Sequence, residues 1–286
     1  MTARRFLALD LETVPDEALV SAVDGEPSRP YAEQLGRLLA ERRARSGGRS
    51  DFLPLPYHRP VAACALEGVE EGEVVRVADV FTWADRDRGA GEAAFLEETW
   101  RRIEGRTLVS FHGRGFDLPV LELRSLKLGV TAPDWFEGRR AEGSPEHLDL
   151  LELLSNRRAT PSAPLDLYAK LVGLPGKEGV GGKDVQRLYE TGAVDRIVAY
   201  CMTDVVQTWL LFLRFRLVEG SLSAAAYSAS VRAAREALPA LFARRLGPGE
   251  RTFLAGYLER CAPFFGEVEP GAEPELALAG TRRSRR

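Results

Sequence analysis

A run of four apolar residues, Phe6-Leu7-Ala8-Leu9, leads directly into Asp10-Leu11-Glu12. An apolar run without alternation reads as a strand buried on both faces, as in the middle of an α/β sheet. Side chains two apart on a strand share a face, with Cα atoms about 6.5–7 Å apart, so Asp10 and Glu12 project together from the strand end. Two carboxylates placed so can converge on a hard cation. A solvated strand end is the alternative, although adjacent unpaired carboxylates at a buried strand are costly.

The rest of the chain predicts the elements that would flank such a strand. Arg5–Glu12 is the strand itself, followed by a short helix over Asp16–Val23 and a longer one over Tyr31–Arg45 with Leu35, Leu38 and Leu39 on one face. A Ser/Gly loop, Ser46–Asp51, precedes two β-rich runs, Pro60–Glu67 and Val74–Thr82, that read as an antiparallel hairpin. A helix over Gly91–Ile103, a short buried strand over Thr107–Phe111 and a helix over Asp117–Leu128 come next. His147–Leu154 fits either a strand or a helix start, Pro164–Val172 is helical, and Gly173–Lys183 is a glycine-rich mobile loop. Helices are expected over Val194–Val218, Leu222–Arg245 and Gly249–Phe265. The tail beyond Glu267 mixes Pro, Gly and Glu before RRSRR and is expected to be disordered. This order fits a mixed sheet flanked by helices, with a main domain over 1–218, a helical extension over 219–265 and a tail over 266–286.

Composition excludes several classes. With 286 residues, 45% apolar and 28% charged, the chain is globular and long enough for a full core without staples. Its net charge of −3 excludes binding of nucleic acid by bulk positive charge but leaves room for a local basic groove. Arg42, Arg43, Arg45 and Arg49 read as a solvated helix end or as a nucleic-acid arm. Cys64, Cys201 and Cys261 have no metal spacing and read as reduced thiols. The start has too short an apolar run for a secretory signal, and Arg214 and Arg216 interrupt the apolar stretch Thr208–Val218, so a cytoplasmic protein without a membrane span is expected. Gly113-Arg-Gly115 has Leu118 where a dinucleotide fingerprint needs glycine, and Gly182 stands where a P-loop over Gly176–Lys183 needs lysine. With only His58, His112 and His147, there is no H-E-x-x-H zinc site.

Two further carboxylate motifs survive. Phe116-Asp117 closes the segment SFHGRGFDLPVL, where a buried strand stops, a glycine turn follows and a helix starts. Asp117 is either the N-cap of that helix or a site carboxylate at the edge of the sheet where α/β sites gather. Tyr200 and Asp204 are spaced i, i+4 and share one helix face beside Val198, Val205, Val206 and Leu210; a Tyr packed on a core edge with a surface Asp is the alternative reading.

In this order, with the text LDLETVPD, SFHGRGFDLPVLELR, HLDLLELLS and YCMTDVVQTWLLFLR, the chain resembles the Tyr-containing branch of the DEDD 3′–5′ exonucleases. More closely it resembles the bacterial predicted exonucleases related to the proofreading exonuclease domain of family-B DNA polymerases. The resemblance runs from Phe6 to about Val218. It implies an RNase H-like α/β fold, a five-stranded mixed sheet with helices on both faces. It also implies that Asp10, Glu12, Asp117 and Asp204 hold two divalent metal ions, Mg²⁺ or Mn²⁺, while Tyr200 orients the attacking water. Expected substrate contacts are Leu11, His112, Arg114 and Phe116, with Lys177 and Lys183 from the glycine-rich loop; solvated loop charge is the other reading of the two lysines. One departure is His112, where the family usually carries Asn; histidine can still donate a hydrogen bond. Asp149 is an accessory carboxylate or a helix cap. The function implied is stepwise 3′–5′ hydrolysis of single-stranded DNA. The alternatives are the same chemistry on RNA and a non-catalytic nucleic-acid-binding module.

Overall fold

The computed structural model describes residues 3–140, 147–176 and 181–265. In chain order the elements are β1 (Arg5–Pro15), α1 (Glu17–Asp24), α2 (Tyr31–Arg45), β2 (His58–Glu71), β3 (Val74–Ala84), α3 (Glu92–Ile103), β4 (Thr107–Ser110), α4 (Asp117–Leu128) and α5 (Pro133–Arg140). They continue with β5 (His147–Asp149), α6 (Leu150–Leu154), α7 (Leu165–Leu171), α8 (Gly182–Glu190), α9 (Val194–Val218), α10 (Ala224–Arg245) and α11 (Pro248–Arg260). The strands form one sheet in the order β3-β2-β1-β4-β5. β1 is central: it runs antiparallel to β2 and, through Phe6–Ala8, parallel to β4, which in turn pairs parallel with β5. This is the five-stranded mixed sheet that the resemblance implies.

The two-residue repeat of β1 sorts its side chains between two cores. Leu7, Leu9 and Leu11 pack with Phe95, Leu96 and Trp100 of α3 and with Leu118 and Leu121 of α4. Phe6 and Ala8 face the larger cluster built on α9, where the Phe6 and Phe212 rings lie 5.1 Å apart. Asp10 and Glu12 continue this second face, so they are aimed at α9. Burial of α9 over most of its length explains why its sequence is apolar all round. Among the described residues α9 is the one helix long and apolar enough to cross a membrane, and it lies inside the fold instead. Gly68, at the irregularity where β2 pairs with β3, lets it come close: a Cβ there would lie 2.1 Å from the Trp209 ring. α10 packs on β3 and α11 on α9, so both join the α9 core.

Several expectations are corrected. His147–Leu154 is neither all strand nor all helix: β5 ends at Asp149, which caps α6 by accepting from the Leu151 amide at 3.0 Å. The glycine-rich stretch ends earlier than expected, because α8 begins at Gly182. There Asp184 accepts from the Gly181 amide at 3.1 Å, the returning half of a capping box. α5 carries Trp135, whose ring stacks on Trp100 at 5.5 Å, and no helix was expected there. In α2 the buried residue is Gln34, held by Ser21 and by the Glu26 and Arg29 carbonyls, while Leu35, Leu38 and Leu39 are half-exposed. This helix packs on α1 rather than on the sheet. The tail over 266–286 lies outside the described residues.

Candidate active site

Asp10, Glu12 and Asp204 come together not at a strand end, as expected, but in the second half of β1, which runs on to Pro15; there β1 is still paired with β2 but is past its last pair with β4 at Ala8. Each offers a carboxylate oxygen, and these oxygens lie within 4.8 Å of one another. Glu12 and Asp204 are buried and Asp10 is partly exposed, so one side opens to solvent. Asp204 is delivered by α9 and accepts from the Gln207 side chain at 3.3 Å. Tyr200, one turn earlier, is buried, 3% exposed. The Cys201 thiol, also buried, lies against Asp10, with Sγ 3.5 Å from Oδ2. Three carboxylates gathered in a protein interior repel unless a cation or protons intervene, and an all-oxygen set suits Mg²⁺ or Mn²⁺ better than zinc. The donor set therefore fits a hard divalent ion.

Asp117 lies outside that group of three. It is the first residue of α4, and Phe116 occupies the N-cap position with no side-chain cap, so the capping reading of Asp117 is corrected. Its Oδ1 instead accepts from the backbone amide of Leu11 at 3.0 Å. Leu11 is the residue between Asp10 and Glu12, so its amide joins the second motif to the first. Burial pushes the Asp117 carboxyl up to about 7, with the charges of Asp149 and Asp204 adding to the rise and two amide bonds opposing it.

The loop over 111–116 is held by its neighbours on β4 and β5. Asp149, 1% exposed, accepts from the amides of His112 and Arg114, each at 2.9 Å, as well as capping α6. Ser110 Oγ lies 2.8 Å from His147 Nε2 and accepts from the Gly113 amide at 3.2 Å. His147 is kept neutral: burial and the Arg114 charge lower it to about 4.

His112 has φ of 72°, in the left-handed region. Asn, Asp and His enter that region more readily than other side chains, which gives a backbone reason why Asn and His can exchange here. Its ring faces a residue that sequence reading missed. Arg158 Nη2 lies 2.7 Å from His112 Nδ1. Arg158 is the last of three consecutive left-handed residues, Asn156, Arg157 and Arg158, with φ of 49°, 54° and 64°. Such a run of side-chain-bearing residues is strained. Gly115 lies under the pair, since a Cβ there would come within 2.2 Å of the His112 ring and 2.8 Å of Arg158.

The remaining expected contacts divide. Leu11 is buried in the core cluster that also holds Leu118, and Phe116 packs against that cluster. Phe116 is half-buried at the rim, its ring edge-on to His58 at 5.0 Å. Arg114 turns away, donating to the His147 carbonyl at 2.8 Å and pairing with Glu152 at 3.4 Å. Lys177 lies outside the described residues, and Lys183 is the second residue of α8. Asp149 proves to be a cap that also clamps the loop, and Arg158 gave no motif signal at all.

Over 168 residues the chain is 28% identical to a DNA polymerase of Pyrococcus glycovorans, covering 51% of this chain but 22% of that protein. A solved family B DNA polymerase from Pyrobaculum calidifontis superposes with a TM-score of 0.47 at 16% identity, over 93% of this chain and 30% of that one. The chain thus spans under a third of the length of either polymerase. Residues 50–261 match the model of a family described as predicted 3′–5′ exonucleases related to the exonuclease domain of PolB. That span contains Asp117, Tyr200 and Asp204, while Asp10 and Glu12 precede it. The chain belongs to this family of predicted 3′–5′ exonucleases.

Proposed function

We propose that this protein is a metal-dependent exonuclease that removes nucleotides one at a time from the 3′ end of single-stranded DNA. The observation that carries the reading is the convergence of Asp10, Glu12 and Asp204 within 4.8 Å, with Asp117 tied to the backbone between the first two. Asp10, Glu12 and Asp204, completed by Asp117, would hold two divalent ions. Metal ions held there would supply a lowered pKa for the attacking water and neutralisation of the leaving 3′ oxygen in an in-line displacement. Tyr200, buried one turn before Asp204 on α9, orients the water by a hydrogen bond from its hydroxyl. The half-buried Phe116 ring offers a stacking surface to the terminal base, and stacking tolerates any base. His112, at the turn before Asp117, contributes a donor to the terminal nucleotide.

The deciding experiment incubates the protein with 5′-labelled DNA and RNA strands in Mg²⁺, Mn²⁺ or EDTA, beside a circular DNA of the same sequence. The expected result is a ladder shortening from the 3′ end of linear DNA, metal-dependent, with the circle intact. Cleavage of the circle at a comparable rate would make it an endonuclease. Faster loss of RNA than DNA would reassign the substrate, and undiminished activity in EDTA without carried-over metal would overturn the mechanism.

A further inference from the structure

Leading away from Phe116 is an aromatic and basic surface to which the proposed reaction gives no role. Phe52 is 55% exposed although it is a large apolar side chain. Its ring stacks on His58 at 4.9 Å and lies 5.9 Å from Phe116, the residue adjacent to Asp117. A three-ring array therefore runs outward from the rim of the site and ends on an open face. The loop that presents Phe52 is ordered by its own hydrogen bonds. Ser46 Oγ donates to the Ser50 carbonyl at 2.7 Å and accepts from its amide at 2.9 Å, and the Ser50 hydroxyl accepts from the Phe52 amide at 3.1 Å. Arg42 Nε donates to the Phe52 carbonyl at 3.0 Å, which fastens the loop to the end of α2.

That helix end carries the arginine cluster. Arg43, Arg45 and Arg49 are exposed. Arg45 has a partner in Glu41 at 3.7 Å, with both side chains mostly in water, a pairing worth little. Arg49 uses Nε on the Ser46 carbonyl at 2.9 Å. Complementing the helix dipole would account for arginines in the last turn of α2. It does not account for Arg49, which lies beyond the helix, nor for an apolar ring held in water next to them.

We infer that Phe52 and the arginines at the end of α2 form a track for the single strand upstream of the 3′ end. Bases would stack on Phe52 outward from Phe116, and Arg43, Arg45 and Arg49 would follow the phosphates. Aromatic faces beside a line of cations are the chemistry that holds single-stranded nucleic acid without sequence preference. The inference rests on the exonuclease reading for its choice of partner, but it can be tested apart from turnover.

The test measures binding in EDTA by anisotropy of a labelled oligothymidine of about twelve nucleotides, within the usual range of single-strand site sizes. Phe52→Ala is expected to weaken binding about tenfold and Phe52→Trp to restore it. Replacing Arg43, Arg45 and Arg49 together with Ala should flatten the plot of log affinity against log salt by about 2, at roughly 0.7 per phosphate contact on a single strand. With Mg²⁺ or Mn²⁺, the ratio of kcat/KM on the oligomer to that on a dinucleotide should fall about tenfold in Phe52→Ala, in step with binding. Unchanged affinity and salt slope in both variants would overturn the track, as would equal losses on dinucleotide and oligomer. A wild-type protein that binds the oligomer through Phe52 yet hydrolyses nothing would refute the exonuclease reading and leave the track standing.

Discussion

The backbone amide of Leu11 donates to Oδ1 of Asp117 at 3.0 Å. A residue of the first strand thus fixes a carboxylate that arrives 106 residues later, and the cost of burying that carboxylate is visible in its pKa of about 7. A carboxyl raised in the fold binds more protons there than in the unfolded chain between its ordinary value of 3.8 and about 7. Its contribution therefore favours the folded state at low pH and is lost as pH rises through that window. Asp117→Asn keeps an oxygen for the Leu11 amide and removes the charge. It should raise the melting temperature of the metal-free protein at pH 8 by several degrees, at about 2–4 °C per kcal/mol for a chain of this size. The gain should shrink toward pH 4. A gain independent of pH, followed by calorimetry in EDTA, would show that Asp117 carries no such burden.

The group of three makes a different demand on activity. Asp10→Ala, Glu12→Ala and Asp204→Ala should each lower kcat about a thousandfold, which corresponds to roughly 4 kcal/mol of transition-state stabilisation. The metal-free melting temperature should stay equal or rise, because like charges are removed. Calorimetric titration with Mn²⁺ gives the independent reading: each variant should lose affinity for the ion. A variant that titrates like wild type would remove that residue from the ligand set.

Tyr200→Phe keeps the buried ring and deletes the hydroxyl alone. The loss in kcat should be smaller than for any carboxylate, about tenfold to a few hundredfold, as for an orienting or proton-handling group. Mn²⁺ affinity should be unchanged. A loss equal to that of Asp10→Ala would place the phenol among the groups that the reaction cannot do without.

Asp149 spans β5, α6 and the loop before Asp117, accepting from the amides of His112, Arg114 and Leu151. Asp149→Ala strands three amide donors. At about 1–3 kcal/mol for each buried group left unsatisfied, it should be among the most destabilising single substitutions in the site. Asp149→Asn, which retains one carbonyl oxygen, should recover part of the loss. Urea denaturation of the two variants checks the order, and a neutral Asp149→Ala would remove the clamp.

What was legible in the sequence follows from short-range patterning. The alternation of Phe6, Ala8, Asp10 against Leu7, Leu9, Leu11 is a two-residue period, and it decides which side chains face α9. Tyr200 and Asp204 share a helix face for an equally local reason. What was hidden depends on contacts distant in sequence or on backbone states that residue type does not reveal. Asp149 reads as one carboxylate among many until β5 is set beside β4. Arg158 reaches His112 only because three residues without glycine take left-handed conformations. Leu35, Leu38 and Leu39 gave a helix correctly, but a face of leucines does not say whether its partner is the sheet or another helix.

The pair formed by Arg158 and His112 supplies the last prediction. A guanidinium donates and cannot accept, so at 2.7 Å from Arg158 Nη2 the Nδ1 atom of His112 must be the acceptor. Burial and then the Arg158 charge hold His112 below its usual pKa, against the opposing charges of Asp149 and Glu152. The ring is therefore neutral at pH 7 with its proton on Nε2, a donor that a phosphate or sugar oxygen can use. Asn at this position would offer a donor through its amide and would tolerate the φ of 72°, so His112→Asn should keep both fold and activity. His112→Val, β-branched in the left-handed region, should cost at least about 1–2 kcal/mol of stability. Arg158→Ala frees Nδ1 to take the proton, and KM should rise several-fold while kcat changes less. The direct observation is a nitrogen-15 long-range spectrum of the histidine rings. Wild type should show the Nε2–H pattern for His112 and Arg158→Ala a mixture of tautomers, with His147 as the internal neutral reference. A wild-type ring protonated on Nδ1 would break the argument at its first step, because Arg158 could not then be bonded to it.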